Sequence, residues 1–283
     1  MRGPEVGSTK QKHVSKLALL VAGLVLAACS RDPFDNRDLE GFTAAQIYEQ
    51  AELSLARGDA ETAANYFGEV ERIYPYSEWG KRALVMQAFA YHRDGDYDAA
   101  RGAGQRFVAF YPADEDAAYA QYLVALSYYD QIDDVGRDQG LILNALTELR
   151  AVIENYPSSK YARSAELKFE LAFDLLASKE MEVGRFYLKR GNYTAAINRF
   201  RVVVKDFQTT THTAEALHRL VEAYLALGLR DEAQTAAAIL GHNYAGSDWY
   251  QDSFALLTGQ GLRPEARAGG WLGNIWSGLA GNG

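Results

Sequence analysis

At 283 residues, with 48% hydrophobic and 23% charged side chains, the chain has the composition of a folded protein, not a disordered one. Its formal net charge of −8 excludes a nucleic-acid partner, whose phosphates need clustered Lys and Arg. The single cysteine excludes an intrachain disulfide.

The N-terminus reads as a leader. Arg2, Lys10, Lys12 and Lys16 stand against Glu5, and an apolar run follows from Leu17 to Ala28. A run of about 12 residues is too short to cross a bilayer, which needs about 20. The basic start, apolar middle and small-residue end are those of a secretory signal. The run closes in Leu26-Ala27-Ala28-Cys29, which resembles a bacterial lipobox whose cysteine is lipidated and becomes the first mature residue. On this reading Cys29 carries an S-diacylglycerol and an N-acyl chain, and several chains anchor stably where one would not. Ser30 after the cysteine resembles an outer-membrane sorting signal. Without the leader's four bases and one acid, the net charge of −8 becomes −11.

Internal repetition organises the rest. Gly58-Asp59-Ala60, Gly95-Asp96-Tyr97, Gly191-Asn192-Tyr193 and Gly228-Leu229-Arg230 each join two apolar, helix-periodic segments. A glycine that closes one helix in the left-handed conformation lets the next begin at once, which makes a helical hairpin. Ala63 and Ala100 lie 37 residues apart, as do Ala196 and Ala233, close to the tetratricopeptide period of about 34. Within the second helix of each unit, apolar residues recur at i, i+4 and i+7, as in Ala63, Phe67 and Val70. The five units expected are marked by Ala63, Ala100, Ala145, Ala196 and Ala233.

Two longer spacings interrupt the period. The surplus before Ala145 coincides with the polar stretch 133–138, read as a loop inside the third hairpin. The larger surplus before Ala196 covers Tyr161 to Arg190, which has no Pro and keeps helical spacing, so one unusually long helix is expected there. A last helix, capped by Ser247 and running to Leu257, closes the array. The tail carries Trp271, Leu272, Ile275, Trp276 and Leu279 at helical spacing. It reads either as an unstructured end or as a short partner-docking helix.

The expected fold is therefore all-α, a right-handed superhelical solenoid of five tetratricopeptide-type hairpins. Its divisions are a signal peptide (1–28), a lipidated linker (29–41), repeats 1–3 (42–157), repeats 4–5 with the closing helix (158–257) and a Gly-rich tail (258–283). G-x-S-x-G, P-loop, H-E-x-x-H and C-x-x-C patterns are absent, so no catalytic residues are expected. The histidines are scattered, and neither a metal site nor a cofactor other than the covalent lipid is expected. Tyrosines crowd the first repeats. They serve repeat packing on one reading. On the other, Tyr76, Trp79, Tyr91 and Tyr122 line a groove made by first helices and stack against an extended peptide.

Several segments resemble one family. Tyr74-Pro75-Tyr76-Ser77-Glu78-Trp79, Ala88-Phe89-Ala90-Tyr91-His92, Phe107-Val108-Ala109-Phe110-Tyr111-Pro112 and Asn155-Tyr156-Pro157-Ser158-Ser159-Lys160-Tyr161 are similar to the BamD family of the outer-membrane β-barrel assembly machinery. So are Arg137-Asp138 in the third-repeat insertion and Arg190-Gly191-Asn192-Tyr193 followed by Asn198-Arg199. The resemblance implies a lipid-anchored, non-enzymatic scaffold on the periplasmic face of the outer membrane, beside other assembly-complex lipoproteins. Its C-terminal repeats would dock on the periplasmic domain of BamA, with Arg199 at that contact, and its N-terminal repeats would receive unfolded β-barrel precursors. An adaptor lipoprotein for cell-wall enzymes is the competing reading. The fourth unit departs from the pattern, with Phe207-Gln208-Thr209-Thr210 where relatives have Tyr-Pro.

Overall fold

The computed structural model describes residues 39–132, 139–266 and 271–273. Cys29 and the 133–138 insertion lie outside them, as do Ile275, Trp276 and Leu279. A 3-10 turn, Leu39–Gly41, leads into helices α1 (Ala44–Ala56), α2 (Ala60–Ile73), α3 (Glu78–Asp94), α4 (Tyr97–Phe110), α5 (Ala117–Tyr129) and α6 (Gln139–Asn155). There follow α7 (Ala162–Lys189), α8 (Tyr193–Asp206), α9 (Thr213–Ala226), α10 (Arg230–Asn243) and α11 (Asp248–Gly259). No described helix is long and apolar enough to cross a membrane.

Each odd-numbered helix up to α9 packs against the even-numbered one after it, and each such pair packs on the next. First helices also touch their successors directly, α1 with α3, α3 with α5, α5 with α7, α7 with α9 and α9 with α11. They thus line the tighter side of the array. α7, the helix expected to be long, has 28 residues.

The hairpin joints have a local cause. Gly95 caps α3 at φ 88°, ψ 2°, a conformation that a Cβ would strain, and Gly58, Gly191 and Gly228 share its positive φ. The next residue then caps the second helix: Asp59 accepts from Thr62 N at 3.1 Å and Asp96 from Ala99 N at 3.0 Å. The stripe of the second helices is realised in all five. Ala63, Phe67 and Val70 are fully buried, as are Ala145, Leu149 and Val152, Ala196, Phe200 and Val203, and Ala233, Ala237 and Leu240. In α4 the middle place is taken by Gly104, where a Cβ would meet Val124 Cγ2 at 2.7 Å.

At the opposite edge, one turn joins each unit to the next. The backbone N–H of Ser77 donates to Tyr74 O, Asp114 to Tyr111 O, Ser159 to Tyr156 O, Thr210 to Phe207 O and Ser247 to Tyr244 O, all at 3.0–3.1 Å. Like the fifth, the fourth joint therefore keeps the turn of the proline-containing joints without a proline. Thr213 Oγ1 donates there towards Phe207 O and Gln208 O at 3.0 and 3.1 Å, and Asp174 accepts from Thr211 N at 3.1 Å. The ring of Phe207 packs 4.8 Å from that of Phe173. These hydrogen bonds and the aromatic contact brace the fourth joint.

The described part of the tail folds back on its own chain. Gln234 Nε2 donates to Arg263 O at 2.8 Å, and Leu272 is buried in the core of the last hairpins. Arg201 lies 4.3 Å above the ring of Trp271. Of the two sequence readings, an unstructured end does not describe these residues, and the docking is within the chain.

Candidate functional site

Three surfaces carry the residues singled out by sequence. On the first-helix face, Tyr48 of α1 sits with its ring 5.1 Å from Phe67 and 5.0 Å from Trp79. The guanidinium of Arg82 lies 5.5 Å from the Tyr48 ring and 5.4 Å from the Trp79 ring. Burial raises the Tyr48 phenol above its ordinary value, whereas Trp79, in the first turn of α3, stays 37% exposed. An exposed indole backed by a buried ring and flanked by a cation offers a π face together with positive charge.

Two units along, Tyr161, just before α7, stacks on both Tyr119 and Tyr122 of α5, with centroids 5.1 and 5.4 Å away. Lys160 Nζ lies 5.1 Å from the Tyr161 ring. Burial pushes the Tyr119 phenol up to about 12 and raises that of Tyr122, against which a hydrogen bond with Ser164 acts. The phenols of Tyr119 and Tyr122 therefore stay protonated at neutral pH and can donate a hydrogen bond. Phe89 of α3 reaches toward the group, 6.4 Å from Tyr119.

The four sequence candidates therefore part company. Trp79 and Tyr122 fall on first helices, each within its own aromatic group. Tyr91 is half-buried and packs against the core of the first hairpin. Tyr76 is fully exposed, but at the joint between units, where it borders a cleft of about 370 Å³ with Glu71, Pro75, Leu84, Phe110 and Tyr111. Proline sets the chain direction after α2, and that direction carries Tyr76 away from Trp79. Tyr48, Arg82 and Tyr161 escaped the sequence reading. For Tyr161 the signal was present: it stands at the N-cap of α7, where the next first helix begins.

On α8, Arg199 Nη1 donates to Glu180 Oε2 of α7 at 3.1 Å, with the arginine side chain 45% exposed. It borders a shallow hollow of about 300 Å³ with Tyr187, Ala195, Asn198 and Val202. A half-exposed guanidinium held by one carboxylate keeps N–H donors for a second acceptor.

No group of three His, Cys, Asp or Glu among the described residues could hold a metal ion. The histidines tie elements together instead: His92 to Asp130 at 3.1 Å, His212 to Asp174 at 3.3 Å, and buried His218 to Ser253 at 2.8 Å.

Residues 41–239 match the YfiO family, described as outer membrane lipoprotein. An outer membrane protein assembly factor BamD of Caulobacter vibrioides is 44% identical over 89% of this chain and 82% of its own. The one of Rickettsia prowazekii is 42% identical over 85% of this chain and 95% of its own. A solved tetratricopeptide-repeat protein of Thermus thermophilus aligns with TM-score 0.36 and 19% identity, over 76% of this chain and all of that one. That likeness is too loose to bear on function.

Proposed function

Since the chain belongs to the YfiO/BamD family of outer membrane lipoproteins, we propose that it is an outer-membrane protein assembly factor that works by binding, not by catalysis. The observation that carries this reading is the 44% identity to an assembly factor over 89% of the chain. In this reading Cys29 bears the lipid that holds the protein to the outer membrane, with the repeats in the periplasm. The exposed indole of Trp79 and the stacked tyrosines of the first-helix face receive unfolded β-barrel precursors. Aromatic rings accept apolar, weakly charged segments with little sequence preference, which suits a surface that serves many precursors. Arg199 and the hollow beside Tyr187 face the periplasmic domain of BamA, and other assembly-complex lipoproteins join the same scaffold.

The test is mild crosslinking in cells followed by co-purification from outer membranes. BamA and barrel precursors are the expected partners. Recovery of peptidoglycan hydrolases or synthases in their place would overturn the reading in favour of a cell-wall adaptor. The Cys29→Ala variant is expected to leave the membrane fraction while staying folded, and its full retention would sink the lipid anchor.

A further inference from the structure

We infer that the joint edge of the first two repeats, with Tyr76 and Phe110 at its crest, rests on the membrane surface to which the chain is tethered. This goes beyond the proposed function but rests on its lipid anchor. Tyr76 is fully exposed and Phe110 is 65% exposed, and both border one cleft. They occupy successive joints, after α2 and at the end of α4, so they project from the same edge of the array.

The tether enters at that edge too. Tyr74 Oη donates to Phe42 O at 2.5 Å, which pins the start of the described chain two residues from Tyr76. Between Cys29 and Leu39 nine residues intervene, ten steps of chain with a reach of at most ~35 Å when fully extended. A lipid on Cys29 would thus hold the entry point of the chain, which lies at this edge, near the bilayer at high effective concentration.

Ion pairs temper the acidic charge at this edge. Glu71, which borders the cleft, pairs with Arg106 at 3.0 Å. Glu78 and Asp114 share Lys81, each at 3.0 Å. These pairs offset part of the negative charge beside the two rings, and exposed Glu115 keeps some of it there. The amphipathic ring of a tyrosine favours the headgroup level of a membrane, and a phenylalanine ring the acyl boundary just beneath it.

The test uses the acylated protein on vesicles of phosphatidylethanolamine and phosphatidylglycerol carrying a headgroup-level quencher. An environment-sensitive dye is placed at Ala113→Cys, on the joint edge, or at Asp94→Cys, beside the glycine joint. Quenching at 113 should exceed that at 94 roughly threefold, as for a probe at the interface against one in water. The Tyr76→Ser/Phe110→Ser pair should remove most of the difference while the protein stays on the vesicles. In a second arm the chain begins at residue 30 with an N-terminal hexahistidine tag held by chelator lipids, so failure of acylation cannot hide the answer. Equal quenching at the two positions in this arm, or no effect of the double variant, would overturn the inference. So would quenching-independent dye shifts at 113 that appear only with an added aromatic-rich peptide, which would make the patch a peptide site.

Discussion

Arg199 of α8 reaches back across the fourth hairpin to Glu180 of α7, 3.1 Å away, so a residue of the candidate partner surface is oriented by the long helix. With the arginine 45% exposed, that pair contributes less than about 1 kcal/mol to stability. The expected outcome for Arg199→Ala is a thermal midpoint close to wild type. If Arg199 anchors the BamA contact, its binding to the periplasmic domain should still fall by more than about 1 kcal/mol, roughly five- to tenfold in Kd. Calorimetry checks this, and wild-type affinity would make Arg199 a surface charge only.

Gly184 of α7 lies against Phe200 of α8, which is fully buried. A Cβ at 184 would sit 2.4 Å from Phe200 Cε1 and 2.8 Å from Cδ1 and Cζ. The alanine gain in helix propensity is at most about 1 kcal/mol, whereas overpacking a filled core costs about 1–3 kcal/mol. The clash wins if the ring cannot retreat. Urea unfolding of Gly184→Ala should show lower stability, and a stabilised variant would mean that Phe200 has room to move.

The repeat order was legible because helical side-chain periodicity writes itself into sequence. Ala63, Phe67 and Val70 have the same spacing as Ala196, Phe200 and Val203, and both sets are buried alike. The long α7 was legible for the same reason, since an uninterrupted period with no proline leaves only a helix. The aim of a joint residue was not. In Tyr74-Pro75-Tyr76-Ser77, Tyr74 turns in to bond Phe42 O and Tyr76 turns out to solvent. No periodicity tells two tyrosines in one turn apart. Nor could the fourth joint be settled from its missing proline, because the hydroxyl of Thr213 acts from three residues beyond Thr210. The pairing of Arg199 with Glu180 depends on how two helices are rotated against each other, which spacing along either one leaves open.

His218 of α9 is buried against α11, with Nδ1 2.8 Å from Ser253 Oγ and its ring 5.3 Å from that of Trp249. Burial lowers its pKa below the ordinary 6.5, outweighing Glu222, while Arg219 acts in the same direction and Asp252 and Glu215 oppose. The folded state therefore favours the neutral ring, and the unfolded state binds the proton first as pH falls. Stability from this residue is complete above about pH 6.5 and declines below it, by no more than about 1.4 kcal/mol per pH unit. Unfolding at pH 7.5 and 5.5 should show a loss in the wild type that is smaller in His218→Gln. An equal loss in both would assign the acid sensitivity to other groups.

The precursor-binding face can be separated from the joint edge by photo-crosslinking. Trp79 and Tyr76 are three residues apart, yet Trp79 packs beside Tyr48 and Arg82 on the first helices while Tyr76 looks out over the cleft with Phe110. Trp79 has a buried ring behind it and a cation beside it, so an aromatic side chain of an extended peptide can add to an existing aromatic group. Such a contact contributes about 0.5–1.5 kcal/mol beyond area burial, and several in series are needed to hold a weakly charged strand. A benzophenone side chain at Trp79 should therefore trap a peptide from the C-terminal strand of a barrel precursor. The same group at Tyr76, or at exposed Glu232 in the last hairpin, should trap little. Trp79→Ala should weaken peptide binding several-fold, and Arg82→Ala less so, because the cation only flanks the ring. Stronger capture at Tyr76 than at Trp79 would move the precursor site to the joint edge, and equal capture at all three positions would leave the aromatic groups as packing alone.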